Sequence, residues 1–131
     1  MPEDYAIVNL LEVEDDTGGR LDGLEGRFGR KHLGSRDLGV SHWRFAPGLR
    51  VPTAHSHRDQ EEAYVVVSGS GRIRLGDEIR DIGQWDVVRV APEVVRAFEG
   101  GPDGLEVIAI GGPKPEGGDG VLSDAPWPDE A

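Results

Sequence analysis

The chain has 131 residues, of which 37% are hydrophobic and only 6% aromatic, so it can bury one modest core. A single domain is therefore expected. The formal net charge of -11 and the scattered basic residues disfavour nucleic-acid binding, because phosphate backbones repel an acidic surface. Without cysteine there can be neither disulfides nor thiolate metal sites, which leaves imidazole, carboxylate, amide and water as metal ligands.

The secondary structure is predicted to be all-β. Twenty glycines and nine prolines interrupt the chain every few residues, which favours many short strands over long helices. The first residues lack the basic start and long apolar run of a signal peptide, and no apolar segment reaches the length of a membrane helix. These features predict a cytoplasmic protein that does not bind membranes.

The first 38 residues predict one strand and one charged segment. Tyr5–Val13 is rich in aliphatic residues and predicts a strand within an N-terminal arm, residues 1–20, that pairs at a sheet edge. In residues 21–38 glycines alternate with charged residues, and four basic residues surround Phe28: Arg27, Arg30, Lys31 and His32. These residues are either a lip for an anionic ligand or a solvated loop with a short strand, because charge runs usually face water.

The segment from Gly39 to Ala46 alternates as a strand does, which places Trp43 and Phe45 on the inward face. Aromatic side chains at such positions are either core residues or a platform for a ligand. His42, on the opposite face, has no partner at a useful spacing.

The next segment contains the residues whose spacing suits chemistry. His55 and His57 share one face of an extended strand, so both imidazoles can approach one ligand. The run AYVVV then predicts a buried strand on which Glu62, Tyr64 and Val66 share a face, and this makes Glu62 a candidate third metal ligand. The alternative is a pair of ordinary histidines without a metal.

The remaining chain predicts five more strands and a tail. Arg72–Leu75 and Ile79–Ile82 form a hairpin in which a three-residue loop sets Leu75 opposite Ile79. Three further strands are predicted, and their residues are Gln84–Val90, Val95–Glu99 and Leu105–Ile110, the last two separated by GGPDG. So many short strands indicate a sandwich or a barrel. The tail, residues 113–131, predicts neither strand nor helix, and Trp127 either anchors it on its own chain or a second subunit or belongs to a loose tail.

The histidine segment resembles the first motif of the cupin family: glycine, His-x-His, glutamate and glycine. Gly48, His55, His57, Glu62 and Gly69 take these places, with four residues between His57 and Glu62 and six between Glu62 and Gly69. The second cupin motif is matched in spacing and not in identity. Its glycine, proline, glycine, histidine and asparagine fall on Trp85, Ala91, Glu93, Arg96 and Gly100.

The resemblance implies a cupin-like double-stranded β-helix, a jelly-roll β-barrel with its core at residues 36–112 and a small-molecule pocket inside. Tyr64, Trp43 and Phe98 are the pocket residues it predicts. It also implies that His55, His57 and Glu62 bind a divalent metal such as zinc, nickel, iron or manganese. Because many cupins pair through strand exchange, a homodimer is predicted.

Arg96 is the main departure, since in the family a histidine at this place completes a shell of three histidines and one glutamate. A guanidinium offers no lone pair and cannot bind a metal. Three resolutions follow: Arg96 turns to hold an anionic substrate beside a three-ligand metal, or Arg96 pairs with Glu62 and the metal is lost, or Gln60 or Glu61 supplies another ligand. Strand alternation disfavours Glu61.

Two functions are compatible with this sequence. One is a metal-dependent enzyme, of the isomerase or dioxygenase type that the family provides, acting on a small polar or acidic metabolite with Arg96 as a catalytic anion-orienting residue. The alternative is a non-catalytic small-molecule-binding or sensing cupin without metal, in which Arg96 pairs with Glu62. Fold alone does not choose between them.

Overall fold

The computed structural model describes residues 4–130. The strands are β1 (Leu24–Phe28), β2 (Gly39–Phe45), β3 (Ala54–His57), β4 (Glu62–Leu75), β5 (Glu78–Gly83), β6 (Val87–Val90), β7 (Arg96–Gly111) and β8 (Gly120–Ser123). A four-residue helix, α1 (Arg30–Leu33), and 3-10 turns at Leu10–Glu12 and Pro128–Glu130 complete the described elements. None of these helices is long and apolar enough to cross a membrane.

Two long strands, β4 and β7, organise the sheet. They pair antiparallel on both sides of a bend, where two register shifts flank Gly69. A Cβ atom at Gly69 would lie 2.1 Å from the carbonyl oxygen of Gly104, so only glycine permits the two strands to approach this closely. The glycine-rich stretches of both strands therefore bend the pair and do not end it.

The bend divides the sheet into two halves that share β4 and β7. In one half the order is β1-β2-β7-β4-β6, and in the other it is β8-β3-β7-β4-β5. Every neighbouring pair is antiparallel. The curled sheet confirms the predicted all-β jelly-roll architecture.

The core lies between the two halves and follows the alternation of the strands. Its buried residues are Phe45, Tyr64, Val66, Ile73, Ile82, Val90, Phe98, Leu105, Val107 and Ala109. Phe98 packs against Phe45 at 5.3 Å and against Tyr64 at 4.9 Å between ring centroids. Each large apolar side chain buried in this way contributes about 1.5–3 kcal/mol, so these rings are a main source of stability.

The predicted strand at Tyr5–Val13 is wrong. The segment instead contains the turn at Leu10–Glu12, where the side chain of Asn9 accepts a hydrogen bond from the N–H of Leu11. Asparagine competes in this way with strand pairing. Tyr5 and Ile7 remain 78% and 91% exposed, and no neighbouring strand in residues 4–130 pairs with them.

The predicted hairpin is present with a register one residue different. Leu75 lies opposite Glu78 and not Ile79, so the loop is only Gly76 and Asp77. Gly76 has a φ of +61°, the conformation that a two-residue hairpin loop requires at its first position. A tight turn at a glycine thus replaces the predicted bulge.

Other predicted boundaries also change. The GGPDG segment does not separate two strands, because it lies within β7, opposite the glycines of β4. The strand predicted at Gln84–Val90 begins only at Val87, after a turn in which Trp85 has a φ of +72°. Among non-glycine residues at positions 4–130, Trp85 alone has a positive φ.

The tail is structured, contrary to the prediction that it contains no strand or helix. It forms β8, and Trp127 is only 1% exposed, packed with Ala54 and Ala97. The indole N–H of Trp127 donates to the carbonyl of Val51 at 2.9 Å, and the Arg50 guanidinium lies 4.2 Å from the ring centroid. The sequence left open whether Trp127 anchors the tail on its own chain or a second subunit, or belongs to a loose tail. In the structure, Trp127 anchors the tail on its own chain.

Candidate metal centre

Strand β3, which carries both histidines, is held between β8 and β7. It pairs with β8 over four residues and with β7 through one pair, His55 opposite Arg96. The extended backbone turns His55 and His57 to the same face, and their rings meet edge to face at 5.1 Å. The tail strand thus supplies most of the backbone pairing that fixes the histidines.

Three potential ligand atoms converge beside this strand. Nε2 of His57 lies 3.1 Å and Nε2 of His55 lies 3.7 Å from Oε1 of Glu62. The three residues together can place their ligand atoms within 4.8 Å of one another. Metal–ligand bonds of about 2.0–2.2 Å in a tetrahedral shell set ligand atoms about 3.4 Å apart, so this spacing fits one divalent ion.

The orientation of His57 supports the same interpretation. Its Nδ1 lies 2.9 Å from Oδ1 of Asp119, which directs the Nδ1–H to the carboxylate and leaves the lone pair of Nε2 facing Glu62. The buried Nε2 atom has no hydrogen-bond partner, although Oε1 of Glu62 is close. A lone pair and a carboxylate oxygen that face one another suit a cation between them.

Asp119 is a site residue that the sequence prediction missed. Its carboxylate is 5% exposed and accepts hydrogen bonds from the backbone N–H groups of Asp59 at 2.8 Å and Gln60 at 2.7 Å. Burial raises the pKa of Asp119, but these bonds and His57 outweigh it and hold the pKa at about 2. No spacing rule links a residue of the GGDG segment to a histidine 62 positions earlier.

Glu62 is fixed by the phenol of Tyr64, whose hydroxyl donates to Oε1. Burial raises the pKa of Glu62, yet the neighbouring imidazoles and this hydroxyl bring it to about 2, so the carboxylate is ionised. Burial and the charge of Glu62 raise the pKa of Tyr64 far above its usual value. Tyr64 is therefore a neutral donor that leaves further acceptor positions of Glu62 available.

Arg96 is fully buried, and its guanidinium is incompletely satisfied. Nη2 donates to the carbonyl of Ala91 at 3.1 Å, while Nε and Nη1 have no partner. The predicted alternative of an Arg96–Glu62 ion pair is absent from the salt bridges of residues 4–130. Glu62 accepts from Tyr64 and faces the two imidazoles instead of Arg96.

The other proposed ligands have different roles. Glu61 is exposed and pairs with Arg89 at 2.8 Å on the outside of the barrel, as the alternation of β4 requires. The side-chain amide of Gln60 donates to the carbonyl of Gly112 at 3.0 Å. The predicted alternative in which Glu61 supplies an additional metal ligand is thus wrong.

A cavity of about 720 Å³ opens in front of the triad. Arg96 and the predicted pocket residues Trp43, Tyr64 and Phe98 all lie in its lining, together with the three candidate ligands. Trp43 also packs against Phe28 at 5.3 Å between ring centroids. These positions bring the anion-orienting candidate, the candidate metal ligands and the apolar wall around one space.

The basic cluster predicted as a lip is divided by the structure. Arg30 lines the cavity and donates to the carbonyl of Gly112 at 3.0 Å. Lys31 and His32 instead pair with Glu14, and Arg27 pairs with Glu25. Of the four basic residues, Arg30 alone is part of the cavity lining.

A curled antiparallel sheet that encloses two histidines from β3 and a glutamate from β4 defines a jelly-roll β-barrel with an internal polar site. A family model described as a cupin domain matches residues 41–110, and the chain belongs to the cupin family. The match covers the predicted motif segment and both strands of the central pair.

Solved structures share this fold at low identity. A cupin protein from Bacteroides fragilis is 22% identical with a TM-score of 0.70, covering 85% of this chain and 86% of the other. Oxalate decarboxylase from Bacillus subtilis, in a structure at pH 4.6, is 19% identical with a TM-score of 0.71. That similarity covers 87% of this chain but only 31% of the decarboxylase. No curated protein is similar enough to count as a match.

Proposed function

We propose that this cupin is a divalent-metal-dependent enzyme, of isomerase or dioxygenase type, that acts on a small polar or acidic metabolite. The observation that carries the proposal is the unpartnered Nε2 of His57, buried 3.1 Å from Glu62 with its other ring nitrogen fixed by Asp119. Without a cation, this arrangement leaves a buried lone pair unsatisfied, which is unfavourable.

His55, His57 and Glu62 would hold the metal, and zinc, nickel, iron or manganese suits two imidazoles and a carboxylate. A bound metal supplies a Lewis acid that polarises a substrate oxygen. Three protein ligands leave coordination positions for water and substrate, as in other catalytic metal sites.

The residues around the triad have distinct roles in the proposal. Asp119 keeps the Nδ1–H of His57 directed to its own carboxylate and away from Glu62, and Tyr64 holds the orientation of Glu62. Arg96 binds an anionic oxygen of the substrate and aligns it in front of the triad. The apolar walls exclude water and strengthen these electrostatic contacts.

The non-catalytic alternative has less support. It requires Arg96 to neutralise Glu62 in a metal-free barrel, whereas Glu62 faces the histidines and Arg96 keeps two unpartnered nitrogens. A metal between the imidazoles and the carboxylate accounts for the first observation, and an anionic substrate at Arg96 accounts for the second, which is why the enzyme is the favoured proposal.

Elemental analysis of the untagged protein after dialysis against metal-free buffer tests the metal site. We expect near-stoichiometric metal in the wild type and almost none in His55→Ala/His57→Ala. A His32→Ala variant is the matched control, because His32 pairs with Glu14 outside the cavity. If the wild type contained no metal even after nickel, iron, zinc and manganese were added back, the enzyme proposal would fail in favour of the binding protein.

A second expectation concerns the effect of Arg96 on metal occupancy. Replacing it by alanine removes a positive charge beside the triad, so Arg96→Ala should leave metal occupancy unchanged or raise it. Abolished occupancy in a folded Arg96→Ala protein would contradict the charge argument.

A further inference from the structure

We propose that the cavity binds a small monocarboxylic acid with an apolar body, whose carboxylate contacts Arg96 and whose body lies along the aromatic wall. This inference rests on the proposed function, because it names the substrate class of the same site. It is carried by three separate features of the cavity lining: the free donors of Arg96, the charge of the lining and the distribution of aromatic residues.

The free donors of Arg96 point to an acceptor-only ligand. The side chain is 0% exposed, and both Nε and Nη1 lack hydrogen-bond partners within residues 4–130. Buried donors without partners are costly, and those of a charged group more so. A carboxylate presents two oxygens, accepts hydrogen bonds only and pairs with guanidinium more strongly than a neutral acceptor does.

The charge of the lining differs in sign from that of the whole chain. Among the residues that line the cavity are four cations, namely Arg20, Arg30, Arg96 and Lys114, and two acids, Glu62 and Asp119. The chain as a whole has a net charge of -11. The cavity therefore attracts anions that the rest of the surface repels.

The local charge also limits the ligand to one negative charge. Of the four cations in the lining only Arg96 is buried, since Arg20 and Lys114 are exposed and Arg30 is half-buried and donates to the carbonyl of Gly112. Beside the triad, a divalent metal would be offset by Glu62 and Asp119, which leaves the buried positive charge of Arg96. One carboxylate neutralises that charge. A second carboxylate or a phosphate dianion would again leave an uncompensated charge in a buried site, which is unfavourable.

Aromatic residues are concentrated in this cavity. Five of the eight aromatic residues of the chain line it: Phe28, Trp43, Phe45, Tyr64 and Phe98. Small-molecule sites typically combine such apolar walls with a few polar groups that fix orientation. An apolar ligand body gains about 25 cal/mol for each Å² removed from water, and a fully polar ligand would lose this contribution.

Isothermal titration calorimetry with three probes tests the assignment. The probes are 3-phenylpropionate, 3-phenylpropanamide, which has the same body without charge, and acetate, which has the charge without the body. We expect 3-phenylpropionate to bind at least about tenfold more tightly than either of the others, because a hydrogen bond to a charged group contributes about one factor of ten or more. Equal affinities for the acid and the amide would overturn the proposal.

Variants assign the contact to Arg96. Arg96→Met keeps the length and apolar stem and removes the charge, so it should weaken 3-phenylpropionate about tenfold or more and leave the amide unchanged. Arg96→Lys should give an intermediate affinity, and it provides the test if Arg96→Met does not fold. Arg36→Met is the control, because the side chain of Arg36 is exposed outside the cavity. Wild-type affinity in a folded Arg96 variant would overturn the assignment.

The titrations are repeated on chelator-treated protein so that the two proposals can fail separately. Arg96-dependent binding of 3-phenylpropionate without any metal uptake would support the ligand class and contradict the metal-dependent enzyme. Metal uptake at the triad without Arg96-dependent binding would leave the enzyme proposal standing and overturn the ligand class.

Discussion

Asp119 orients a histidine of the site although it lies 62 positions away in the sequence. Asp119 accepts a hydrogen bond from the Nδ1–H of His57 and so fixes which ring nitrogen carries the proton. Burial raises the pKa of Asp119, but the hydrogen bonds to its carboxylate hold the pKa at about 2, so it remains an acceptor. The direction of the His57 lone pair therefore depends on a carboxylate from the tail.

Replacing Asp119 should weaken metal binding. Outer partners of metal-bound histidines typically contribute 10–100-fold in affinity, so Asp119→Ala should raise the dissociation constant for zinc by about that factor. Asp119→Asn keeps an acceptor oxygen without the charge, so its dissociation constant for zinc should lie between those of the wild type and Asp119→Ala. Competition with a coloured chelator measures these constants, and Asp124→Ala, an exposed aspartate of the same tail, should match the wild type.

A second prediction concerns Trp85, which stands where the resemblance to the second cupin motif places a glycine. Its φ of +72° is unfavourable for any residue with a Cβ, and its side chain is 68% exposed. Trp85→Gly should therefore raise the free energy of unfolding by about 1 kcal/mol. Urea denaturation of both proteins measures this difference in the free energy of unfolding. Trp85→Ala keeps the Cβ, so an equal gain from alanine would show that backbone strain is not the cause.

At the level of elements, the tail is part of the barrel. Strand β8 pairs with β3 along its whole length, and Trp127 packs against Ala54 and Ala97. Arg50 joins the end of the tail through Asp129 at 2.7 Å and the central pair through Glu99 at 2.6 Å. The histidine strand is thus held by a segment outside the family motif.

Trp127→Ala should destabilise the protein strongly. Truncating a buried tryptophan typically costs about 3–5 kcal/mol, through lost burial and the cavity that remains. Urea denaturation should show this loss, and zinc affinity should fall with it because β8 and Asp119 lose their anchor. Leu122→Ala, at an exposed position of the same tail, should change stability little. A Trp127→Ala protein of wild-type stability would contradict the described anchor.

At the scale of the whole molecule, acid should destabilise the fold through paired carboxylates. Burial raises the pKa of Glu99, but hydrogen bonds from Arg50 and Arg72 outweigh it and hold the pKa below its usual value. A depressed pKa contributes stability that is present above the unfolded value of about 4.3 and is lost as the pH falls through the folded value. The free energy of unfolding should therefore fall as the pH drops through and below the unfolded value of about 4.3.

The matched variant for this pH dependence is Glu99→Gln. It should be less stable than the wild type at neutral pH and should show a shallower loss on acidification, because one depressed carboxylate is gone. Urea denaturation across the pH range measures both slopes. Identical slopes would mean that other carboxylates cause the acid sensitivity.

The homodimer stays a prediction. Large apolar side chains are exposed at several places, among them Tyr5 and Ile7 in the N-terminal segment and Trp85 and Val87 around the start of β6. Exposed apolar groups of this size often mark contacts between copies. Light scattering after gel filtration should give twice the monomer mass, and Ile7→Asp/Val87→Asp should give the monomer. A wild-type monomer would contradict the prediction.

Much of the barrel could be predicted from the sequence because strand alternation is a local property. The pattern around Trp43 and Phe45 indicated a strand with an inward face, and the His-x-His spacing set both imidazoles on one side of another. Boundaries were less predictable at glycines. The GGPDG segment has turn composition, yet pairing with the glycines of β4 keeps it within one strand.

The all-β class, the cupin resemblance and the convergence of His55, His57 and Glu62 could be predicted from the sequence, because each depends on spacing within a strand. The facing of Asp119 and His57, the anchoring of the tail by Trp127 and the lack of an Arg96–Glu62 ion pair in residues 4–130 depend on tertiary contacts. These contacts join residues far apart in the chain. Their geometry follows from how the sheet curls, which no local pattern encodes.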